Sequence, residues 1–385
     1  GTPRSGSPAG SPAAAGAGAG GVEQVGVVTS LSGPLQLYAE QYLTGLGIGL
    51  DYATGGARVA GGQRIEYEVR DDGGDPEQAV RLARELIDQG YRILAGPVNS
   101  DVALRLLPLV DERRVLFVSG PAAADGITGR NRYTFRSGRH SYQDVLAAKA
   151  LLPATRDKAI LVLAPDTAFG QAEAASVQSV FIPEGAMVER RLVPASTREF
   201  ASVAQELRNR RPDFLFLAWA GTTTDDVLNA LDREDVLGRL SLVTGLAQRQ
   251  FYPNLGPAAE RLTLFAHYLP GAPQNPANQL LVDHIRQRSN TPPGLFAPDG
   301  FVAGQLLARA IGAAGGPDVD RMIDALEGYA FTGPKGQYTV RREDHALLQP
   351  MFGARLVRQG PGYEAEPIRT LAPDEVAPPL NPIPR

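Results

Sequence analysis

The chain of 385 residues contains no cysteine and a single tryptophan. Without cysteine it can form neither a disulfide nor a thiolate-ligated metal site. Cysteine usage therefore does not indicate whether the protein works in a reducing or an oxidising compartment. Lysine occurs only at Lys149, Lys158 and Lys335, and no block of basic residues is present. With a formal net charge of -4, this argues against a nucleic-acid-binding surface. No apolar run reaches the roughly 20 residues that would span a bilayer.

Motifs of catalysis are also missing. The sequence has no G-x-S-x-G elbow, no H-E-x-x-H and no cysteine nucleophile. His140, Ser141 and Asp144 are the residue types of a catalytic triad, but residues this close on one segment do not converge on a common point. We therefore expect no enzymatic activity, no metal site and no cofactor.

Residues 1–21 are low in complexity and consist of Gly, Ala, Ser and Pro with a few other residues. Such a segment buries too little apolar surface to order itself, so it is predicted to be a flexible tether. A tether would suit a protein held off a membrane by a lipid on a residue just upstream. A disordered tail or a cloning remnant explains the composition equally well.

From Val22 onward, buried-strand patterns alternate with helical ones. Apolar runs predict strands at residues 25–28, 93–95 and 115–118, with amphipathic helices between them. The pattern then restarts, with strands at residues 159–163, 214–217 and 240–243. Regular alternation of this kind predicts an α/β protein with doubly wound parallel sheets. Gly45, Gly47 and Gly49 resemble a nucleotide-binding motif, but they fall inside a helix, which favours close helix packing.

The most informative stretch is ILAGPVNSDVALRL, residues 93–106. A buried strand ends at Gly96 and a helix begins near Asn99, Ser100 or Asp101, each a good capping residue. The turn therefore lies at the carboxyl edge of a sheet, where α/β proteins bind ligands. The free amides of that helix suit an anionic group such as a carboxylate. The alternative is that Ser100 only caps its own helix.

The segments VGVVTSLSGP, IEYEVRDDGGDPEQAVRLARELID and ILAGPVNS, in this order and spacing, resemble the type I solute-binding proteins of the leucine/isoleucine/valine class. The resemblance covers residues 22–371. It implies an α/β fold of two doubly wound parallel-sheet lobes joined by three crossovers, which we place near Arg136, His267 and Phe331. The N-terminal lobe would comprise residues 22–138 and 268–331, and the C-terminal lobe residues 139–267 and 332–372. A Pro-rich tail, residues 373–385, would follow.

The resemblance also implies a function. Proteins of this class are extracytoplasmic receptors of ABC importers, so we expect a monomer that closes its lobes on a small-molecule ligand and delivers it to a membrane permease. No nucleic acid is expected as a partner. The alternative is the ligand-sensing domain of a receptor or regulator, because the same fold serves there.

The family's ligand site can be carried over by position. Tyr38 matches an aromatic contact, and Ser100 matches the hydroxyl that holds a ligand carboxylate with the help of the Ala122 backbone. Several positions depart from amino-acid binders: Ala123 replaces a hydroxyl and Phe169 a common tyrosine. The positions that we expect to line the cleft are Tyr38, Asn99, Ser100, Asp101, Ala122, Ala123, Phe169, Trp219, Ala220, Leu246 and Ala247.

The acidic residue that pairs with the ammonium group of an α-amino acid falls at about Ala247, beside Leu246 and Gln248. A buried ammonium without a counter-ion is costly. We therefore rank a small apolar or aromatic carboxylate or amide above a branched-chain amino acid. Arg249 could supply a counter-charge to such an acid, and Asp101 could instead replace the missing carboxylate. Trp219 fits the cleft and the core equally well.

Overall fold

A computed structural model describes residues 20–385, so that all of the predicted tether except Gly20 and Gly21 lies outside the described residues. The first lobe is built on a six-stranded sheet with the order β2-β3-β1-β4-β5-β6, parallel except for the β2–β3 pair. Its strands are β1 (Val22–Thr29), β2 (Val59–Ala60), β3 (Gln63–Asp71), β4 (Ile93–Ala95), β5 (Leu116–Ser119) and β6 (Thr134–Arg136). The helices α1 (Gln36–Thr54), α2 (Pro76–Asp88) and α3 (Ser100–Arg113) connect them.

The second lobe contains a seven-stranded sheet with the order β16-β15-β11-β10-β9-β7-β8. The strands are β7 (Ala159–Pro165), β8 (Met187–Val193), β9 (Phe214–Leu217), β10 (Ser241–Gly245), β11 (Thr263–Ala266), β15 (Met351–Gln359) and β16 (Gly362–Leu371). Its helices are α4 (Ser141–Leu151), α5 (Ala168–Phe181), α6 (Ala201–Arg210), α7 (Thr224–Arg233) and α8 (Val236–Arg239). The last two strands pair antiparallel, as an edge hairpin on an otherwise parallel sheet. The predicted doubly wound α/β fold of two lobes is confirmed.

The chain returns to the first lobe after β11. The helices α9 (Pro276–Ser289), α10 (Ala297–Ala314) and α11 (Val319–Leu326) precede a small antiparallel sheet of β12 (Ala330–Gly333), β13 (Gly336–Val340) and β14 (Leu347–Leu348). Tyr338, Val340 and Leu347 are buried in the same core cluster as the strands of the first sheet. We therefore propose that residues 332–348 belong to the first lobe. The third crossover then lies at residues 349–350 and not near Phe331.

Helices α1 and α10 pack with almost no space between their backbones. A Cβ atom on Gly45 would lie 1.9 Å from the Ala297 carbonyl oxygen, and one on Gly49 would lie 2.2 Å from the Phe301 carbonyl oxygen. The predicted packing role is confirmed for these two glycines. Gly47 differs, since its Cβ would make only an ordinary contact of 3.5 Å with the Arg58 guanidinium.

The predicted Pro-rich tail runs along both lobes. Val376 is fully buried in a core cluster of the second lobe, beside Leu371. Further on, the Asn381 N–H donates to the Asp344 carboxylate at 3.1 Å, and the Ile383 N–H donates to the Glu343 carbonyl oxygen at 2.9 Å. The last residues of the chain are thus held against the first lobe.

Candidate functional site

A cavity of about 330 Å³ lies between the two lobes, where the carboxyl ends of both parallel sheets face each other. Its size is within the range of small-molecule sites, roughly 300–1,000 Å³. All of the predicted cleft residues line it except Ala122. Further contributions come from residues that the sequence did not place in the cleft, among them Arg139, Glu173, His267, Leu295 and Phe296.

Ser100 lies at the start of α3 but does not cap that helix. The cap is Asn99, whose side-chain oxygen accepts the Val102 N–H at 3.2 Å. Ser100 is buried, and its Oγ accepts the Ala124 N–H at 3.1 Å, which joins α3 to the loop after β5. The interpretation of Ser100 as a simple cap is therefore wrong. Because its oxygen is used as an acceptor, the hydroxyl proton can be donated to a ligand.

The Ala122 backbone was predicted to assist Ser100, and this is wrong. The Ala122 N–H donates to the Pro97 carbonyl oxygen at 3.2 Å, and the residue does not line the cavity. Ala123 does line it. The N–H groups of Ala122 and Ala124 both donate to acceptors within the protein. For the Ala123 N–H, residues 20–385 provide no acceptor.

Asp101 lies between two helix N-termini. It is in the first turn of α3, and its Oδ2 accepts the N–H of Ala168, the first residue of α5, at 3.3 Å. A carboxylate is stabilised by the positive end of a helix, and here it meets two. Because α3 and α5 belong to different lobes, this contact also joins the lobes across the cleft. Asp101 is thus engaged without a ligand ammonium.

Aromatic side chains form much of the cavity wall. The Tyr38 and Phe296 rings lie 4.5 Å apart between centroids, and the His267 ring stacks on Phe296 at 4.8 Å. Tyr38 also accepts the Gly221 N–H at 3.0 Å through its hydroxyl, which is a second contact between the lobes. Phe169 is half-buried and packs against the core of the second lobe.

Trp219 serves both the cleft and the core. Its ring lines the cavity and packs edge-on against Phe200, with 5.4 Å between ring centroids. The indole N–H donates to Thr223 Oγ1 at 3.0 Å, so its one polar atom is satisfied within the second lobe. A ring held in this way offers a fixed apolar face to a ligand.

A buried group of charges lies at one side of the cavity. Arg139, in the first crossover, forms an ion pair with Asp144 at 3.1 Å and donates to the Pro121 carbonyl oxygen, also at 3.1 Å. Glu173 of α5 is 1% exposed. Burial, followed by the charge of Asp144, raises the pKa of Glu173 well above its usual value. Arg139 is buried as well, and it is the one buried Arg or Lys side chain among the described residues that line the cavity.

Arg249 does not supply a counter-charge, contrary to the hypothesis from the sequence. Its guanidinium pairs with the Glu364 carboxylate on an exposed part of the second lobe, and Arg249 does not line the cavity. The 3₁₀-helix that begins at Arg249 (Arg249–Arg261) directs this side chain toward β16. Gln248, one residue earlier, is the one that faces the cleft.

The two lobes are in a closed arrangement. In addition to the contacts of Asp101 and Tyr38, the side-chain amides of Gln41 and Gln248 donate to each other at 2.9 and 3.3 Å. These three contacts each join an element of the first lobe to one of the second.

Within residues 20–385, no cluster of His, Asp and Glu has a geometry that could hold a metal ion, and no helix is long and apolar enough to cross a membrane.

Sequence comparison identifies a family for this fold and cavity. The sequence profile of the periplasmic binding protein family matches residues 24–361. A Leu/Ile/Val-binding protein of Rhizobium johnstonii is 24% identical over 310 residues, which are 79% of this chain and 83% of that protein.

Two solved structures from Rhodopseudomonas palustris are similar along nearly the whole chain. An ABC-type branched-chain amino acid transporter protein is 31% identical with a TM-score of 0.77, over 93% of this chain and 99% of the other. A solute-binding protein of an ABC transporter, solved with 4-hydroxybenzoate, is 23% identical with a TM-score of 0.82, over 91% and 97% of the two chains.

Proposed function

The chain belongs to the periplasmic binding proteins, in the leucine/isoleucine/valine-binding class of ABC transporter receptors, and on that premise we propose that its ligand is a small aromatic or aliphatic carboxylic acid rather than an α-amino acid. The family and fold are those of non-enzymatic, extracytoplasmic receptors. The receptor would pass its ligand to a membrane permease of the importer.

One observation supports the proposal above the others: among the described residues, each acid that lines the cavity already has a protein partner or a raised pKa. The acids in the lining are Asp101, Asp144 and Glu173. Asp101 accepts the Ala168 N–H between two helix ends, and Asp144 is paired with Arg139. The raised pKa of Glu173 favours its neutral form. Ala247 lines the cavity, and the resemblance to amino-acid binders of the class puts their acid at about this position.

The remaining donors suit a carboxylate. The Ser100 hydroxyl and the Ala123 amide lie next to each other in the fold, since Ser100 is hydrogen-bonded to the following residue, Ala124. Arg139 contacts the same loop through the Pro121 carbonyl oxygen. A carboxylate held there would place its apolar part among the rings of Tyr38, Phe296 and Trp219, where burial and ring packing add to affinity. The structural relative that binds 4-hydroxybenzoate is consistent with this class of ligand.

Titration calorimetry with benzoate, 4-hydroxybenzoate, L-leucine and L-valine tests the proposal. Because Trp219 is the only tryptophan and lines the cavity, quenching of its fluorescence gives an independent readout. We expect the aromatic acids to bind and the amino acids to bind at least tenfold more weakly. Micromolar leucine binding, with benzoate weaker, would refute the proposed ligand class.

Ala247→Glu provides a sharper test, with Ala247→Gln as the matched uncharged control. Restoring a carboxylate at this position should improve leucine binding and weaken benzoate binding, since a charge at the cavity wall attracts an ammonium and repels an acid. The glutamine variant fills the same volume and should weaken both ligands alike. If the two variants behave identically, Ala247 does not determine ligand class.

A further inference from the structure

Glu173 stands out among the buried polar groups of the described chain. It lies on α5 and lines the cavity, and its side chain is almost completely buried. Neither Oε1 nor Oε2 has a hydrogen-bond partner within residues 20–385 that could satisfy a carboxylate. An unpartnered buried carboxylate is costly, so this group is either neutral or completed by a ligand.

The neighbours of Glu173 decide between these two states. After burial, the strongest influence on Glu173 comes from Asp144 of α4. Both carboxylate oxygens of Asp144 already accept from Arg139, at 3.2 and 3.1 Å. One guanidinium thus faces two carboxyl groups. Two carboxyls that share a buried site do not both ionise, so the pair keeps one proton. Asp125, in the 3₁₀-helix Asp125–Ile127, adds negative charge that favours the same proton. Asp299 of α10 and Lys335 also act on the Arg139–Asp144 pair, with opposite charges.

We propose that Glu173 determines ligand charge: a proton held by the Glu173–Asp144 pair keeps this side of the cavity neutral and lets it accept an acid. With the proton in place, Arg139 and the carboxyl pair sum to no net charge. When the proton is lost, the second carboxylate repels an anionic ligand. Binding of the acid is then linked to the proton, which a neutral ligand would not show. This inference rests on the proposed ligand class, and it assigns to Glu173 a role that the hydroxyl at Ser100 does not share.

The test is calorimetry of benzoate binding across the pH range, in buffers of different ionisation enthalpy, for the wild type and for Glu173→Gln. The glutamine side chain keeps the shape of a protonated carboxyl but cannot ionise. We expect wild-type affinity to fall by about tenfold per pH unit once the pair begins to lose its proton, with uptake of one proton on binding. Glu173→Gln should bind benzoate with the low-pH affinity throughout. Glu184→Gln, an exposed glutamate just beyond α5, is the control and should follow the wild type.

Two further measurements keep this inference separate from the ligand class. Infrared difference spectra of the ligand-free wild type and Glu173→Gln should show the carbonyl stretch of a protonated carboxylic acid at neutral pH. Its absence would overturn the inference whichever ligand binds. If leucine binds and benzoate does not, the proposed ligand class fails. A loss of leucine affinity of 100-fold or more in Glu173→Gln would then show an ionised Glu173 that holds the ammonium, which also overturns the inference. A Glu173→Gln variant with the wild-type pH profile would overturn it as well.

Discussion

Replacing Gly45 by alanine should destabilise the first lobe, whereas the same change at Gly47, two residues away on the same helix, should stabilise it. In an open helix position the change from glycine to alanine gains about 1 kcal/mol through lower backbone entropy in the unfolded chain. At Gly47 the new methyl group would make ordinary contacts only, 3.5 Å from the Arg58 guanidinium and 3.7 Å from the Tyr67 hydroxyl. We therefore expect a gain of about 0.5–1 kcal/mol there.

At Gly45 the methyl group would lie 1.9 Å from the Ala297 carbonyl oxygen. That oxygen belongs to the backbone of α10 and cannot rotate away, so the two helices must separate by more than an ångström. Overpacking of this kind costs about 1–3 kcal/mol, and a rigid backbone neighbour favours the upper end. After subtraction of the helix-propensity gain, we expect a net loss of about 1–2 kcal/mol. Gly300→Ala, on the partner helix, should behave alike, because its Cβ would lie 1.8 Å from the Tyr42 carbonyl oxygen.

The assay is urea unfolding followed by circular dichroism, with midpoints compared between variants that share the same m-value. Gly47→Ala is the matched control, since it adds the same methyl group to the same helix, α1. Equal midpoints for Gly45→Ala and Gly47→Ala would refute the argument that glycine sets the distance between α1 and α10.

Two further predictions concern single charges. Asp101→Asn should change benzoate affinity by less than tenfold, because the lost contact with the start of α5 across the closed cleft costs about 0.3–1 kcal/mol, while the loss of a negative charge from the cavity wall offsets part of that cost. A loss of leucine binding above 100-fold, measured by calorimetry, would instead identify Asp101 as the ammonium partner. Burial, and then the charges of Arg136 and Arg341, lower the pKa of His140 well below its ordinary value. The folded protein thus binds this proton less readily than the unfolded chain, so stability is lost as pH falls below about 6.5. Between pH 7.5 and 5 the wild type should lose up to about 2 kcal/mol relative to His140→Gln, as measured by urea unfolding at each pH, and equal losses in both proteins would contradict a neutral His140.

The sequence predicted the features that arise from local patterning. Alternating strands and helices specified the doubly wound lobes, and the turn after β4 specified a helix N-terminus at the sheet edge, because both depend on residues close together in the chain. The glycines at positions 45 and 49 were assigned to packing because they fall within a helical period. Positions that follow strand ends, such as Ser100 and Trp219, could be placed in the cleft for the same reason.

The residues that the sequence did not reveal reach the cavity from elsewhere. Arg139 and His267 lie in crossovers, and Phe296 precedes a helix of the first lobe more than 250 residues after Tyr38, which it contacts. No local pattern encodes such contacts. Glu173 did leave a signal, because it falls on the same helix face as Gly170, Ala174 and Val177, all buried. A charged residue on an apolar helix face is a candidate for function.

The return of α10 to the first lobe also has a consequence for the order in which the chain can fold. The backbone of α10 fits against glycines of α1, so the first lobe lacks a large part of its core until residues 297–314 have left the ribosome. By then all of β7 to β11 has been synthesised. The sheet of the second lobe is still incomplete at that point, because β15 and β16 come later in the chain. Neither lobe can complete its core during synthesis before the chain is nearly finished, and contacts this distant in sequence make folding slow. Late folding of this kind would leave the chain without a stable lobe for most of its synthesis, which is compatible with export of an extracytoplasmic receptor before it folds.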